Sequence, residues 1–147
     1  MSFGYSIRKI SYHLPEKVER NDQLKILYPE WNIDNVVKKI GIFQRYISDK
    51  NETSLDLGLT ASIKLFSEYK IPTEEVDSLI FVTQSPDYLL PPSSCILQEK
   101  LSLRKNILAL DINLGCSGFV NTLAVATSLI NSQMVNNCLL ICGETYT

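Results

Sequence analysis

The segment Ala109-Leu110-Asp111-Ile112-Asn113-Leu114-Gly115-Cys116-Ser117-Gly118-Phe119 places a cysteine between two glycines, where an apolar run gives way to a helical pattern. Its chemistry would be that of a nucleophile. Gly115 permits a sharp turn, and Gly118 permits close approach of backbone or substrate. A cysteine opening a helix sits at the unpaired N–H groups of the first turn, which favour an anion, here a thiolate. The effect has limits. A free cysteine has a pKa of about 8.5, and bringing one to about 7 takes roughly 2 kcal/mol. A helix terminus supplies ~0.3–1 kcal/mol, or ~2 in favourable geometry, so a basic partner such as histidine would help. Spacing alone leaves a second reading open, because buried cysteines are commonly small, inert core residues.

The arrangement is not the nucleophile elbow of α/β-hydrolases. That motif needs glycine two residues before and two after the nucleophile. Cys116 has Leu114 before it, and Ser117 has Phe119 after it. Cys138 and Cys142 lie in the apolar run Cys138-Leu139-Leu140-Ile141-Cys142, and Cys95 in a helical stretch, so all three read as structural. No C-x-x-C pair occurs, and the single histidine, His13, has no neighbouring ligand set. A zinc site is not expected, and His13 reads as structural.

The elements that must position Cys116 follow from the pattern around it. Residues 5–14 are β-prone and end at Pro15. Residues 21–27 and 33–40 read as short helices, the second closed by Gly41. Residues 43–48 read as a short strand. Residues 54–69 form the clearest early helix, with Ser54 as its cap and an apolar stripe through Leu55, Leu57, Leu59, Ile63 and Leu65-Phe66. After a turn at 71–75, Ser78-Leu79-Ile80-Phe81-Val82-Thr83 reads as a strand covered on both faces, as in a parallel sheet. A proline-rich loop over 84–92 leads to a helix capped by Ser93 or Ser94 and ending near Leu101. Strand 107–113, helix 117–131, a turn at Asn136-Asn137 and strand 138–142 complete the pattern. Strands and helices alternate through the second half, which predicts a layered α/β domain over 1–147 with right-handed crossovers.

Composition excludes several classes. The chain has 147 residues, 45% hydrophobic and 20% charged, with net charge −2. Such a length can bury roughly 70% of the unfolded surface without a disulfide or metal staple. There is no basic run, so nucleic-acid binding is not expected. No apolar stretch reaches the ~18 residues of a membrane span, and the first eight residues lack the apolar core of a leader. Free cysteines fit a reducing compartment, so the protein is expected to be cytoplasmic, with no membrane association.

The whole chain resembles the N-terminal half of ketoacyl-ACP synthase III, a condensing enzyme of the thiolase fold. The landmarks occur in order. Ser11 to Val18 is similar to the family's first strand and Leu-Pro turn. Gly41-Ile42 with Arg45-Tyr46-Ile47 resembles its Gly-Ile-x-x-Arg element. Glu52-Thr53 resembles the Glu-Thr before its long helix, and Thr83 to Cys95 its strand-to-helix loop. Asp111 to Phe119 resembles its nucleophile segment.

The resemblance implies a thiolase-like layered α/β/α half, with a largely parallel sheet and helices on both faces. It implies that Cys116 takes an acyl group from acyl-CoA and that the acyl-enzyme condenses with malonyl-ACP, with loss of CO2. The cysteine's own backbone N–H would form half of the oxyanion hole. Acyl-CoA serves as a substrate, and no cofactor is expected. An acyl carrier protein is the expected partner. A homodimer is also implied, because the strand matching Cys138 to Cys142 pairs across the two-fold axis in relatives. Leu90 matches a residue that shapes the acyl pocket across the dimer and is often phenylalanine; the bland alternative is an ordinary loop hydrophobe. Lys39 matches a basic position near the CoA entrance, or else is a solvated helix charge. Trp31 is the candidate for the tryptophan that stacks on the CoA adenine, although it stands several residues too far from Gly41; packing is its alternative. Asn113-Leu114-Gly115 replaces the small alanines usual before the cysteine, as in divergent members of polysaccharide or secondary-metabolite pathways. The family's histidine and asparagine lie in the C-terminal half, which this chain is expected to lack. Two other functions stay open. One is acyl transfer to an alcohol or amine without condensation. The other is a non-catalytic half acting as an assembly module.

Overall fold

The computed structural model describes residues 4–145. The first three residues of the stretch read for a leader, and the last two of the chain, lie outside the described residues. Two compact units are present. One combines the N-terminal segment up to His13 with the chain from Thr53 onward; the other spans Leu14–Glu52.

The larger unit is built on a parallel sheet. Strand β3 (Ser78–Val82) lies between β4 (Leu108–Ile112) and β5 (Cys138–Cys142), in the order β4-β3-β5. Ile80 is level with Leu110 on one side and Leu140 on the other. Every residue of β3 is buried, which is the double cover its unbroken apolar run predicts. Helices α3 (Ser54–Tyr69) and α4 (Ser93–Lys100) pack on one face, and α5 (Gly118–Asn131) packs on β3 and β5 from the other. The core is Leu55, Leu79, Phe81, Leu97, Leu139 and Ile141 with their neighbours. The result is a layered α/β/α fold. Helix α3 comes very close to the sheet. A β-carbon on Gly143, just past β5, would lie 2.6 Å from the Ser54 carbonyl oxygen.

The smaller unit pairs β1 (Lys17–Arg20) antiparallel with β2 (Gln44–Ile47) and carries α1 (Asn21–Leu27) and α2 (Ile33–Ile40). Glu19 lies opposite Arg45 in the ladder, and the two form an ion pair at 3.3 Å. Gly41 ends α2 at φ 71°, a left-handed position that suits glycine.

Three local expectations need correction. Residues 5–14 form no strand. Their β propensity finds no neighbouring ladder among the described residues, and a strand needs one to satisfy its backbone. Side chains of α3 serve instead: Tyr69 Oη donates to the Ile10 carbonyl at 3.3 Å and Lys64 Nζ to the Tyr12 carbonyl at 3.4 Å. Helix α3 is capped by Thr53, not Ser54. Thr53 and Asp56 form a reciprocal capping box, with both backbone N–H contacts at 3.2 Å. The Ser54 hydroxyl donates instead to the Ser85 carbonyl at 3.0 Å. Neither Ser93 nor Ser94 caps α4. Pro92 holds the N-cap position, and the carboxylate of Asp111 on β4 accepts both serine N–H groups, each at 2.7 Å.

At the N-terminal edge of the sheet, Asp77 ties three segments together. Its carboxylate accepts from the N–H of Asn136 at 2.8 Å and of Asn137 at 3.1 Å, and from Arg104 at 2.7 Å. Burial pushes its pKa up. The two backbone N–H donors and Arg104 outweigh that and hold it below the usual aspartate range. The sign for stability follows. Above the unfolded pKa of about 3.9, the Asp77 contribution is fully present, and it is lost as pH falls through the lower folded value. Asp77→Asn is therefore expected to flatten the fall in stability on acidification below about pH 4, as followed by urea unfolding at stepped pH.

Candidate active site

Cys116 lies in the turn between β4 and α5. It is exposed, four residues past the last residue of the strand and two before the first of the helix. The Gly118 N–H donates to the Gly115 carbonyl at 2.8 Å, which closes the turn around the cysteine. Gly118 itself is buried. A β-carbon there would lie 2.6 Å from Val82 Cγ1, so the missing side chain lets the start of α5 rest on β3 rather than making room for a substrate. Gly115 is crowded in the same way, by the side-chain oxygen of Gln84.

Because the sheet is parallel, the segments leaving β3, β4 and β5 emerge at one end. This is where open α/β sheets place their ligands. The end carries Thr83-Gln84-Ser85 from β3, Asn113 to Ser117 from β4 and Gly143-Glu144-Thr145 from β5. Leu90 belongs to the loop leaving β3 and is 81% exposed, next to the exposed Tyr88 and Leu89. Cys116 and Leu90 therefore share one end of one unit.

Trp31 and Lys39 belong to the other unit. Trp31 stacks on Tyr28, with ring centroids 4.4 Å apart, and lines a shallow cleft with Lys25, Ile33 and Asp34. Lys39 is exposed in the last turn of α2, while Trp31 precedes its first turn. An eight-residue helix is about 12 Å long, so the two side chains start from opposite ends of it. His13 is half-buried.

Burial pushes the Cys138 thiol up, against a smaller opposing hydrogen bond from Ser78, and burial also raises Cys142. Thiols shifted upward are poor nucleophiles at neutral pH. Cys95 is exposed on α4. Among the described residues, no group of three or more histidine, cysteine, aspartate or glutamate side chains could hold a metal ion. No described helix is long and apolar enough to cross a membrane.

Two acidic residues at this end were not singled out from sequence. Asp111 carried a signal, since a charge inside the run Ile107 to Ile112 needs a built partner. Glu144 follows a strand at the ligand-binding end of the sheet, but one polar residue after a strand is not distinctive.

The sequence profile of 3-oxoacyl-[acyl-carrier-protein] synthase III matches residues 110–147, the segment containing Cys116. Over 142 residues the chain is 37% identical to a beta-ketoacyl-[acyl-carrier-protein] synthase III of Fusobacterium nucleatum, covering 95% of this chain and 42% of that protein. A Clostridium perfringens protein of the same name is 38% identical over 133 residues, covering 90% of this chain and 40% of its own length. A crystal structure of 3-oxoacyl-(acyl-carrier-protein) synthase III superposes with a TM-score of 0.88 at 42% identity, covering 94% of this chain and 41% of that one. This chain is ketoacyl-ACP synthase III-like.

The Aquifex aeolicus 3-oxoacyl-[acyl-carrier-protein] synthase III structure, at 30% identity, gives a TM-score of 0.82 over 92% of this chain and 43% of that one. The layered α/β fold of this synthase III-like chain is therefore the thiolase-like one. The chain spans about two-fifths of the length of the curated relatives it matches.

Proposed function

We propose that the protein containing this chain is an acyltransferase of the 3-oxoacyl-ACP synthase III type, with Cys116 as its acyl-accepting nucleophile. The observation that carries the reading is the position of Cys116. It is an exposed thiol at the ligand-binding end of a parallel sheet, immediately before the first turn of α5. In the first half-reaction the sulfur attacks the acyl-CoA thioester carbonyl. A carbon–sulfur bond forms to Cys116, the bond to the CoA sulfur breaks, and CoA leaves as its thiol. In the second, malonyl-ACP loses CO2, and the resulting carbanion attacks the acyl carbon. A carbon–carbon bond forms as the bond to Cys116 breaks. The ping-pong order follows from the single acyl-carrying sulfur.

Leu90 is proposed to border the acyl chain, and Trp31 and Lys39 to meet CoA. The chain is proposed to be the N-terminal thiolase-fold domain, in a cytoplasmic homodimer that acts with an acyl carrier protein. Two surface features support a larger assembly. Strand β5 is an apolar edge strand, a ready template for pairing. Helix α5 contains no charged residue, yet exposes Phe119 and Val120 on the side away from the sheet. Exposed apolar side chains on an uncharged helix suit a surface that another protein covers.

The test is intact mass spectrometry of the full protein after incubation with a panel of acyl-CoAs, with peptide mapping. A hydroxylamine-labile acyl adduct on Cys116 is expected, absent from Cys116→Ala. An adduct that maps to another cysteine, or none with any donor in the panel, would sink the assignment.

A further inference from the structure

We infer that Glu144 is a positioning residue for the turn that carries Cys116; its role in catalysis rests on the reading of Cys116 as the nucleophile. Glu144 stands two residues past β5, and its carboxylate reaches the exit of β3. One oxygen accepts the backbone N–H of Gln84 at 3.1 Å. The other accepts the Ser85 hydroxyl and, at 3.1 Å, the N–H of Thr145. The segment it grips is held from two further sides. The Ser85 N–H donates to Thr83 Oγ1 at 3.0 Å, and the Ser85 carbonyl accepts the Ser54 hydroxyl of α3 at 3.0 Å. Between these contacts the Gln84 side chain is directed onto Gly115, the residue before Cys116. Its amide oxygen occupies the space that a β-carbon on Gly115 would need.

The carboxylate on the β5 exit thus fixes the β3 exit, and Gln84 on the β3 exit backs the β4 exit. The ladder hydrogen bonds end at Gly143 N–H to the Val82 carbonyl and Thr83 N–H to the Ile112 carbonyl, so beyond them side chains do the tying. A charged acceptor suits the task, because hydrogen bonds to an ionised group are roughly twice as strong as neutral ones. Glu144 is exposed, so its loss should disturb the core little. What it sets is the placement of the sulfur, and a misplacement of about 1 Å can cost a reaction as much as ~100-fold.

Cys95 supplies an internal reference, as an exposed thiol on α4 outside this linkage. The experiment is timed iodoacetamide alkylation of the full protein, with the Cys116 to Cys95 rate ratio read by peptide mapping. Glu144→Ala and Gln84→Ala are each expected to change the ratio about fivefold or more, whereas Glu144→Gln, which keeps one acceptor but turns an amide N–H toward one of the two backbone donors, falls between Glu144→Ala and wild type. A ratio within about twofold of wild type in both alanine variants would overturn the inference. If Glu144→Ala does not fold, Glu144→Gln decides instead, an unchanged ratio overturning the inference. Acyl-CoA labelling of the wild type separates the two claims. A shifted alkylation ratio without any acyl adduct leaves the positioning role standing and removes the acyltransferase reading.

Discussion

Phe81→Ala is expected to cost about 3–5 kcal/mol of folding stability, the range for emptying a fully buried phenylalanine site. Phe81 has no exposed surface and lies in the middle strand of the sheet. Its ring fills the space under α3. β-carbons built on Gly58 and Gly143 would fall 3.0 and 3.3 Å from ring atoms, so backbone from two elements already meets the ring at close range. Gly58 and Gly143 have no side chains to swing into the hole, so closing it on those two sides means moving α3 or the end of β5. Domains of this size are stable by about 5–15 kcal/mol, so the loss is a large share of the whole. Phe81→Leu keeps most of the volume and should cost far less, about 1–1.5 kcal/mol. Urea unfolding checks both, by a lowered midpoint with an unchanged slope. Thr83, Gln84 and Ser85 follow Phe81 with only Val82 between, so the alanine variant should also slow labelling at Cys116.

The parts of this fold that were legible from sequence are those in which one strong periodicity decides. The unbroken run Ser78 to Val82 has the pattern of a doubly covered strand, and every residue of it is buried. The apolar stripe of residues 54–69 gave α3 its observed limits, Ser54–Tyr69. What was not legible depends on partners distant in the chain. Residues 5–14 have strand propensity, but propensity supplies no neighbouring edge, and α3 side chains take their carbonyls instead. The cap of α4 was sought among the adjacent serines, whereas the acceptor comes from Asp111, 17 residues after Ser94. At the candidate site, the glycines around Cys116 marked the turn correctly. Their physical reasons are nevertheless the packing of Val82 on Gly118 and of Gln84 on Gly115, and one sequence cannot display those contacts. The connections that hold the site run from Glu144 to the exit of β3 and from Asp111, inside β4, to the first turn of α4. They became visible only when the strand order was known.

Asp111 carries the second large expected effect. Its two oxygens accept the N–H groups of Ser93 and Ser94, both at 2.7 Å, from inside β4. Hydrogen bonds to a charged group contribute about 1.5–3 kcal/mol each, and two on one carboxylate are not additive, so Asp111→Ala should cost about 3–4 kcal/mol. The loss would not stop at stability. The clamp fixes the first turn of α4, which directly follows Leu90-Pro91-Pro92, and it starts five residues before Cys116. One side chain therefore joins the loop proposed to border the acyl chain to the strand that delivers the nucleophile. Asp111→Asn keeps one acceptor but turns an amide N–H toward the second donor, so it should fall between wild type and alanine. The measurement is the unfolding free energy of all three proteins, together with the spread of acyl-chain lengths that label Cys116. If Asp111 only caps a helix, the variants lose stability while the chain-length preference holds. If it couples the two loops, as the geometry suggests, the preference broadens in the same order as stability falls, because a loosened Leu90 loop no longer presents one wall to the acyl chain.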